Sequence, residues 1–280
     1  MSQELTKIKK RITSVSGALK VTSAMKLVST VKLKKWKNKM LANREYSDKL
    51  FDTANTILSF AKKAKTPFNM PNDETDKNLY IIVSSTLGLC GSYNNNIFKL
   101  ADATLKEKDD AIILGNKGLI HFENGDFTKI NGFEEYSSIE NSSIINQIVN
   151  LISSEYIKGT YHEIHLIYSE YKNSLIFIPR DLLILPLKKV ETDNFNLGPI
   201  LEPDEKTLVE TLVPIYIKTI VHSKLLESEV CEQAARCNAM ENATNNAKDL
   251  LEDLKIEFNK ARQGAITQEI TEIVSAANAI

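Results

Sequence analysis

The amino-acid sequence predicts an α/β protein in which long N- and C-terminal helices form an antiparallel coiled coil and the middle of the chain forms a small α/β domain. Three observations indicate this fold: helix breakers are confined to the middle, the ends carry apolar residues at helical spacing, and charge is unevenly distributed. With 280 residues, 42% of them hydrophobic and 25% charged, the chain can bury a sizeable core. Its three cysteines are too few for a disulfide-stapled scaffold, and its apolar runs are too short for a membrane helix.

The breakers define three segments. All seven prolines lie between Pro67 and Pro214, and the glycines outside that interval are Gly17 and Gly264. Each end can therefore form a helix of about 60 residues, far longer than an ordinary globular helix, and a coiled coil is the usual reason for such length. We expect a long N-terminal helix within 1–66, a globular α/β domain at 67–205 and a long C-terminal helix within 206–280.

Apolar residues at both ends step by three and four positions, which places them on one stripe facing a partner helix. In the first helix these residues are Leu5, Ile8, Ile12, Val15 and Leu19, continuing at another offset through Met25, Val28 and Val31, then through Leu33, Trp36 and Met40. In the last helix they are Met240, Ala243, Ala247, Leu250, Leu254, Phe258, Ala261 and Ala265, followed by Ile270, Ile273 and Ala277. Because one compact segment separates the two helices, the simplest pairing is intramolecular and antiparallel.

The first helix is strongly basic. Residues 1–40 carry 11 lysines and arginines against one acidic residue, although the whole chain has a net charge of −1. Such a helix could be a transit peptide, a nucleic-acid arm or a partner-facing coiled-coil surface. Arg11 is the only arginine and Trp36 the only aromatic residue in this segment, which argues against the first two. We therefore expect an acidic protein partner and no nucleic acid.

The middle alternates short apolar runs with helical spacing, which predicts a small Rossmann-like α/β domain with a partly parallel sheet. Strands are expected at 78–85, 111–114, 163–168 and 175–178, and helices at 94–106 and 139–157. A glycine-bearing turn at 86–92 follows the first strand, where a phosphate could bind. Its Gly88 and Gly91 match neither a P-loop nor G-x-G-x-x-G, so we interpret the segment as a structural turn.

Residues typical of catalytic and metal sites do not converge in the sequence. Cys231 and Cys237 lie about 240° apart around a helix, and Cys90 stands alone. His162 and His165 are three positions apart, and on a strand they would point to opposite faces. The sequence thus predicts no catalytic residue, no metal site and no cofactor. An alternative from a different class is a nucleotide-binding α/β enzyme flanked by coiled-coil arms.

Three motifs, in the same order along the chain, resemble the gamma subunit of F-type rotary ATP synthases. The first comprises IKKRITSV from Ile8 and KVTSAMKLV from Lys20, and the second is GLCGSYNNNI from Gly88. The third comprises EQAARCNAMENATNNA from Glu232 and FNKARQGAITQEITEIV from Phe258. The chain departs from the family pattern at Thr86 and Leu87, before the second motif, and at Cys237, where a methionine is expected.

The resemblance implies a non-catalytic rotor shaft. Its tip would lie inside a ring of three alpha and three beta subunits that carries the catalytic sites, and its globular domain would lie near the epsilon subunit and the membrane c-ring. The complex would place it peripherally on the cytoplasmic side of the cell inner membrane. The runner-up function is the shaft of an F-type-like ATPase motor that has no proton channel. Small residues near the tip, Ala265, Ala276, Ala277 and Ala279, suit a bearing.

The same resemblance implies which residues contact the ring. Arg262, Gln263 and Thr267 match the family positions that bond to the catch loop of the beta subunits, and arginine can bind a carboxylate through two hydrogen bonds. The other shaft segment that faces the ring contains Lys9, Lys10, Arg11, Met25 and Lys26. For these five residues we expect proximity to acidic ring loops.

Overall fold

The computed structural model describes residues 2–60, 68, 72–140, 142–187, 202 and 204–277. Its longest elements are the helices α1 (Ser2–Phe60) and α5 (Glu205–Ala277), with 59 and 73 residues. At about 1.5 Å per residue they would measure about 90 and 110 Å. The long terminal helices predicted from the sequence are confirmed, and α5 includes Pro214 within its length. The expected boundary between residues 66 and 67 lies outside the described residues, and the one between 205 and 206 falls in the first turn of α5.

The chain divides into two compact units, one formed by Met1–Thr30 and Arg236–Ile280, the other by Val31–Ala235. The first unit contains the beginning of α1 and the end of α5. A hydrogen bond joins Thr22 to Thr244, and another joins Thr30 to Cys237. Because the position on α5 falls as the position on α1 rises, the two helices are antiparallel, as predicted.

The second unit contains a five-stranded sheet with the order β3-β2-β1-β4-β5. The strands are β1 (Leu79–Val83), β2 (Asp110–Leu114), β3 (Thr128–Lys129), β4 (Ile164–Tyr171) and β5 (Phe177–Leu185). Three further helices connect them, α2 (Tyr93–Thr104), α3 (Asn116–His121) and α4 (Ser142–Ile157). The first four strands pair in parallel and β5 is antiparallel, which confirms the predicted mixed sheet.

Helices cover both faces of this sheet, as the uninterrupted apolar sequence of the central strands requires. Every residue of β1 and β2 is buried. On one face the core contains α4 together with Trp36 from α1 and Ile217 from α5. On the other face the core contains α2 together with Cys231 and Ala235 from α5.

The predicted strand at 175–178 is wrong in its bounds. The observed strand β5 begins at Phe177 and continues through Pro179, Arg180 and Asp181 to Leu185, whereas Leu175 is exposed in the preceding turn. Proline and charged residues normally end a strand, but β5 lies at the edge of the sheet, where a missing backbone donor and an exposed side chain are both tolerated.

Two short elements, α3 and β3, were not predicted from the sequence, and they have only six and two residues. A close backbone approach holds α3. Gly115 precedes it at φ +94°, and a Cβ there would lie 2.2 Å from the carbonyl oxygen of Ser84. The Ser84 hydroxyl accepts from the backbone N–H of Gly118 and donates to the carbonyl of Leu114. The side chain thus ties β1 to the first turn of α3.

Candidate partner-binding surface

The paired helices of the first unit meet along a seam, which we define as the described residues that α1 and α5 turn towards each other. Ile8, Met240 and Leu254 are buried in it. On α5 the predicted Leu250 is 41% exposed and the half-buried Leu251 takes its place, which keeps the steps of three and four from Ala247 to Leu254. On α1 the predicted Val28 and Val31 are 55% and 62% exposed, so the prediction was wrong for these three residues.

Polar residues fill the part of the seam where Val28 and Val31 were expected. Ser29 and Thr244 are buried, and the Thr244 hydroxyl donates to that of Thr22 at 3.0 Å. Thr22 in turn donates to the carbonyl of Leu19. Apolar periodicity could not predict the burial of Thr22 and Thr244, because a hydroxyl that has a partner inside the helix pair can be buried at little cost.

Lys26, expected near the ring, forms an ion pair within the chain. Its Nζ lies 2.6 Å from Glu241 Oε1, and that hydrogen bond raises the pKa of Lys26 above its ordinary value. Its neighbour Met25 is half-buried. One turn further along α1, Thr30 lies 3.3 Å from Cys237 Sγ, so the cysteine that stands in place of the expected methionine contacts the partner helix.

The other predicted contact residues lie on the surface. Lys9, Lys10 and Arg11 are exposed near the beginning of α1, and Arg262, Gln263 and Thr267 are exposed near the end of α5. The Thr267 hydroxyl donates to the carbonyl of Gln263, one turn earlier. The helix therefore places Gln263 and Thr267 on one face, whereas Arg262 lies about 100° away from Gln263 around the axis.

The final turns of α5 have no described helix beside them. Since Thr22 pairs with Thr244, the antiparallel register runs out near residue 264, where α1 begins at Ser2. All side chains described from 266 to 277 are exposed, including Ile266, Ile270, Ile273 and Val274. The prediction that the seam continues through Ile270, Ile273 and Ala277 was therefore wrong. Ala265 is half-buried, while Ala279 and the side chain of Ala276 lie outside the described residues.

These exposed isoleucines form a stripe, because Ile266, Ile270 and Ile273 are spaced four and three positions apart. A contiguous apolar surface on a helix without a neighbour is typical of a site that a partner covers. Carboxylates at Glu269 and Glu272 lie between the isoleucines in sequence, and Arg262 precedes them. The tip of α5 therefore combines apolar and directional polar groups suited to a protein partner.

Hydrogen bonds between the residues that flank it close the glycine-bearing turn at 86–92. The Asn94 Oδ1 atom accepts from the backbone N–H of Ser85 at 3.0 Å, and its Nδ2 atom donates to the Ser85 hydroxyl at 2.7 Å. Leu89 and Gly91 adopt φ values of +62° and +58°. This geometry agrees with the interpretation as a structural turn, in which glycine allows a left-handed backbone.

The cysteines and histidines also occupy separate environments. Cys90 and Cys231 are buried thiols that form no disulfide, and burial raises the pKa of the Cys231 thiol to about 12. His162 Nδ1 contacts the carbonyl of Asn72, while His165 contacts two carboxylates. Within the described part of the chain, no three histidine, cysteine, aspartate or glutamate residues are arranged to hold a metal ion. The helices described there include none long and apolar enough to cross a bilayer.

The fold and this surface define a class of protein: an α/β domain is combined with a long antiparallel helix pair whose end presents a partner-binding face. Residues 4–280 match the family model described as ATP synthase. The ATP synthase gamma chain of Mycoplasma mycoides is 36% identical over 277 residues, which cover 97% of both chains. That of Clostridium beijerinckii is 35% identical and covers 98% of both. The chain therefore belongs to the ATP synthase gamma-chain family.

Solved structures show the same fold. The structure of the Euglena gracilis mitochondrial ATP synthase (OSCP/F1/c-ring) contains a chain that matches with a TM-score of 0.67 and 18% identity, covering 100% of this chain and 95% of that one. A central-stalk chain of the Tetrahymena thermophila enzyme matches with a TM-score of 0.55 and 22% identity, covering 80% and 99%. The predicted family, fold class and central-stalk rotor function are confirmed.

Proposed function

We propose that this subunit of an ATP synthase is a non-catalytic rotor shaft that couples ion-driven rotation to ATP synthesis or hydrolysis on other subunits. Family membership supports the rotor role, and the observation that carries the coupling is the exposed end of α5. There the side chains of an apolar stripe and of the polar residues Arg262, Gln263 and Thr267 are exposed. Such a surface can turn within a ring while it makes directional contacts with each ring subunit in turn.

The partners we propose are three alpha and three beta subunits, the epsilon subunit and the membrane c-ring. The solved relatives in the fold comparison include a rotor and a central stalk with its c-ring. The complex would hold this chain peripherally on the cytoplasmic side of the cell inner membrane. We assign the segments 1–66 and 206–280 to the shaft and 67–205 to the foot that meets epsilon and the c-ring.

Coupling follows from the asymmetry of the helix pair. A ring of three beta subunits meets a different face of the shaft at each site, so the three sites differ in conformation and affinity, which is a mechanical form of allostery. Arg262, Gln263 and Thr267 would contact the catch loop of beta, with Arg262 facing a carboxylate. Lys9, Lys10 and Arg11 would face acidic ring loops.

Residues Met25 and Lys26 would lie near the same loops but act differently. Lys26 already pairs with Glu241, so its charge is largely neutralised within the helix pair. We assign it to fixing the register of the two helices beneath the ring. Met25, half-buried beside it, would contribute apolar contact.

A gentle pull-down of the tagged full chain from detergent-solubilised membranes, with all subunits identified by mass spectrometry, tests the function. Recovery of alpha, beta, epsilon and the small c-ring subunit is the expected result. Recovery of alpha and beta without a c-ring would instead establish the runner-up, a hydrolytic motor without a proton channel. Recovery of neither would contradict the shaft function, and stoichiometric ATP binding by the isolated chain would favour a nucleotide-binding enzyme.

A further inference from the structure

His165, in β4 of the second unit, contacts a carboxylate with each of its two ring nitrogens. The Nδ1 atom lies 2.8 Å from Asp181 Oδ1, and the Nε2 atom lies 3.0 Å from Glu163 Oε2. The histidine side chain is only 13% exposed. Neither carboxylate belongs to the partner-binding surface described above, so the cluster has no part in the function proposed there.

Both contacts are hydrogen bonds only if each ring nitrogen carries a proton, because an ionised carboxylate can only accept. A neutral imidazole has one N–H and would direct the lone pair of its other nitrogen at a negative oxygen. Burial lowers the pKa of His165, but the hydrogen bonds and charges of Asp181 and Glu163 outweigh burial and raise that pKa above its ordinary value of 6.5. The geometry therefore fits the charged imidazolium.

The cluster joins two strands at the edge of the sheet. Asp181 lies opposite Ile167 and therefore diagonally across from His165, on the same face of the β4–β5 pair. The register of this pair shifts between Ile164 and His165, so the ladder of backbone hydrogen bonds is interrupted beside the histidine. The side-chain bond between His165 and Asp181 adds a link between β4 and β5 at this point.

The other neighbours of His165 leave it as the group that titrates near neutral pH. The ring stacks on Tyr80 of β1 at 4.9 Å, and burial, followed by the charge of Asp109, raises the pKa of Tyr80 to about 12. The Asp109 carboxylate accepts from the backbone N–H groups of Asn78 and Lys106. Two uncharged residues pack on this face, Ala101 of α2 and Leu105 directly after that helix.

We propose that His165, Asp181 and Glu163 form a pH-sensitive clamp that holds β5 on β4 firmly while the histidine is charged, and that the hold weakens when the histidine is neutral, because the ring can then donate to only one of the two carboxylates. Because folding raises the pKa, the stabilisation is fully present below about pH 6.5, the value for an unfolded chain. It is lost as the pH rises through the higher value of the folded state. The clamp thus loosens under alkaline conditions.

Hydrogen–deuterium exchange of the full chain in its assembled complex tests the clamp. Exchange is measured from about pH 6 to about pH 9, a range that extends to both sides of the ordinary pKa of histidine. At each pH the labelling time is corrected for the intrinsic rate of amide exchange, which itself depends on pH. The protection of peptides covering β5 should fall about tenfold, the size expected when one charge-assisted hydrogen bond is lost, while α4 keeps its protection. Protection of β5 that does not change with pH would overturn the proposal.

Three variants identify the responsible group. His165→Gln should show low protection of β5 at every pH, and Asp181→Asn should shift the loss of protection to lower pH because one carboxylate is removed. His162→Gln is the matched control, since His162 contacts a backbone carbonyl instead of a carboxylate, and it should behave like the unmodified chain. If His165→Gln fails to assemble, Asp181→Asn decides alone, and an unshifted profile would overturn the clamp.

Discussion

The hydrogen bond between the hydroxyls of Thr22 and Thr244 links the two long helices inside the seam. We expect Thr244→Val to lower the free energy of unfolding by about 1 kcal/mol, because Thr22 loses the bond it accepts inside the seam. Adding Thr22→Val should recover much of that loss, since neither hydroxyl is then left buried without its partner. Denaturant unfolding of the full chain measures both values.

An exposed threonine on the same helix provides the control. The Thr13 hydroxyl donates to the carbonyl of Lys9 and is exposed, so Thr13→Val should change stability by less than about 0.5 kcal/mol. Strictly additive losses in the Thr22 and Thr244 double variant would show that the two hydroxyls do not interact.

A substitution at Arg262 is expected to affect coupling without affecting folding. The side chain is exposed in this chain, so Arg262→Gln should leave unfolding unchanged. Turnover of the assembled complex should fall by about tenfold, the consequence of losing about 1.4 kcal/mol of charge-assisted bonding to the ring. Lys260→Gln, an exposed cation two positions earlier, should stay within about twofold, and equal effects of the two changes would contradict the assigned contact.

Truncation of the exposed end of α5 allows the contribution of that end to ring function to be measured separately from its contribution to folding. Truncation after Ala265 removes residues whose described side chains are all exposed, so the thermal midpoint should stay within about 2 °C of that of the full chain. Torque or coupled turnover should weaken, while the ring still assembles through the rest of the helix pair. Complete loss of ring binding after this truncation would contradict a bearing function.

A longer truncation provides the comparison. Ending the chain at Lys255 also removes the half-buried seam residues Phe258, Ala261 and Ala265. The lost burial should cost about 2 to 4 kcal/mol and lower the thermal midpoint measurably. Equal midpoints for the two truncations would show that the seam ends before Phe258.

Strand β5 and the seam show where sequence patterns succeed and fail for individual elements. Long breaker-free helices and buried strands such as β1 could be predicted because one local rule decides each of them. Strand β5 could not, since Pro179, Arg180 and Asp181 are acceptable only at an edge that tertiary structure creates. The burial of Thr244 was missed because it depends on a hydroxyl partner, and Ile270 was misplaced because the register places the beginning of α1 near residue 264 of α5.

At the scale of the whole molecule, the motifs established the family and the function, which periodicity alone could not. The roles of Arg262, Gln263 and Thr267 depend on partners outside this chain, so neither its sequence pattern nor its own packing defines them. By contrast, Asp181 is 16 positions from His165 in sequence, and the pairing of β4 with β5 makes the two residues neighbours.

The rotor-shaft function is tested by observing rotation of this chain in its complex. The alpha and beta subunits are immobilised, and an optical probe is attached to a cysteine introduced at Lys158, an exposed residue after α4, in a chain whose own cysteines are replaced. We predict that ATP drives continuous rotation of the probe in one direction. A stationary probe during undiminished ATP hydrolysis would contradict the rotor-shaft function.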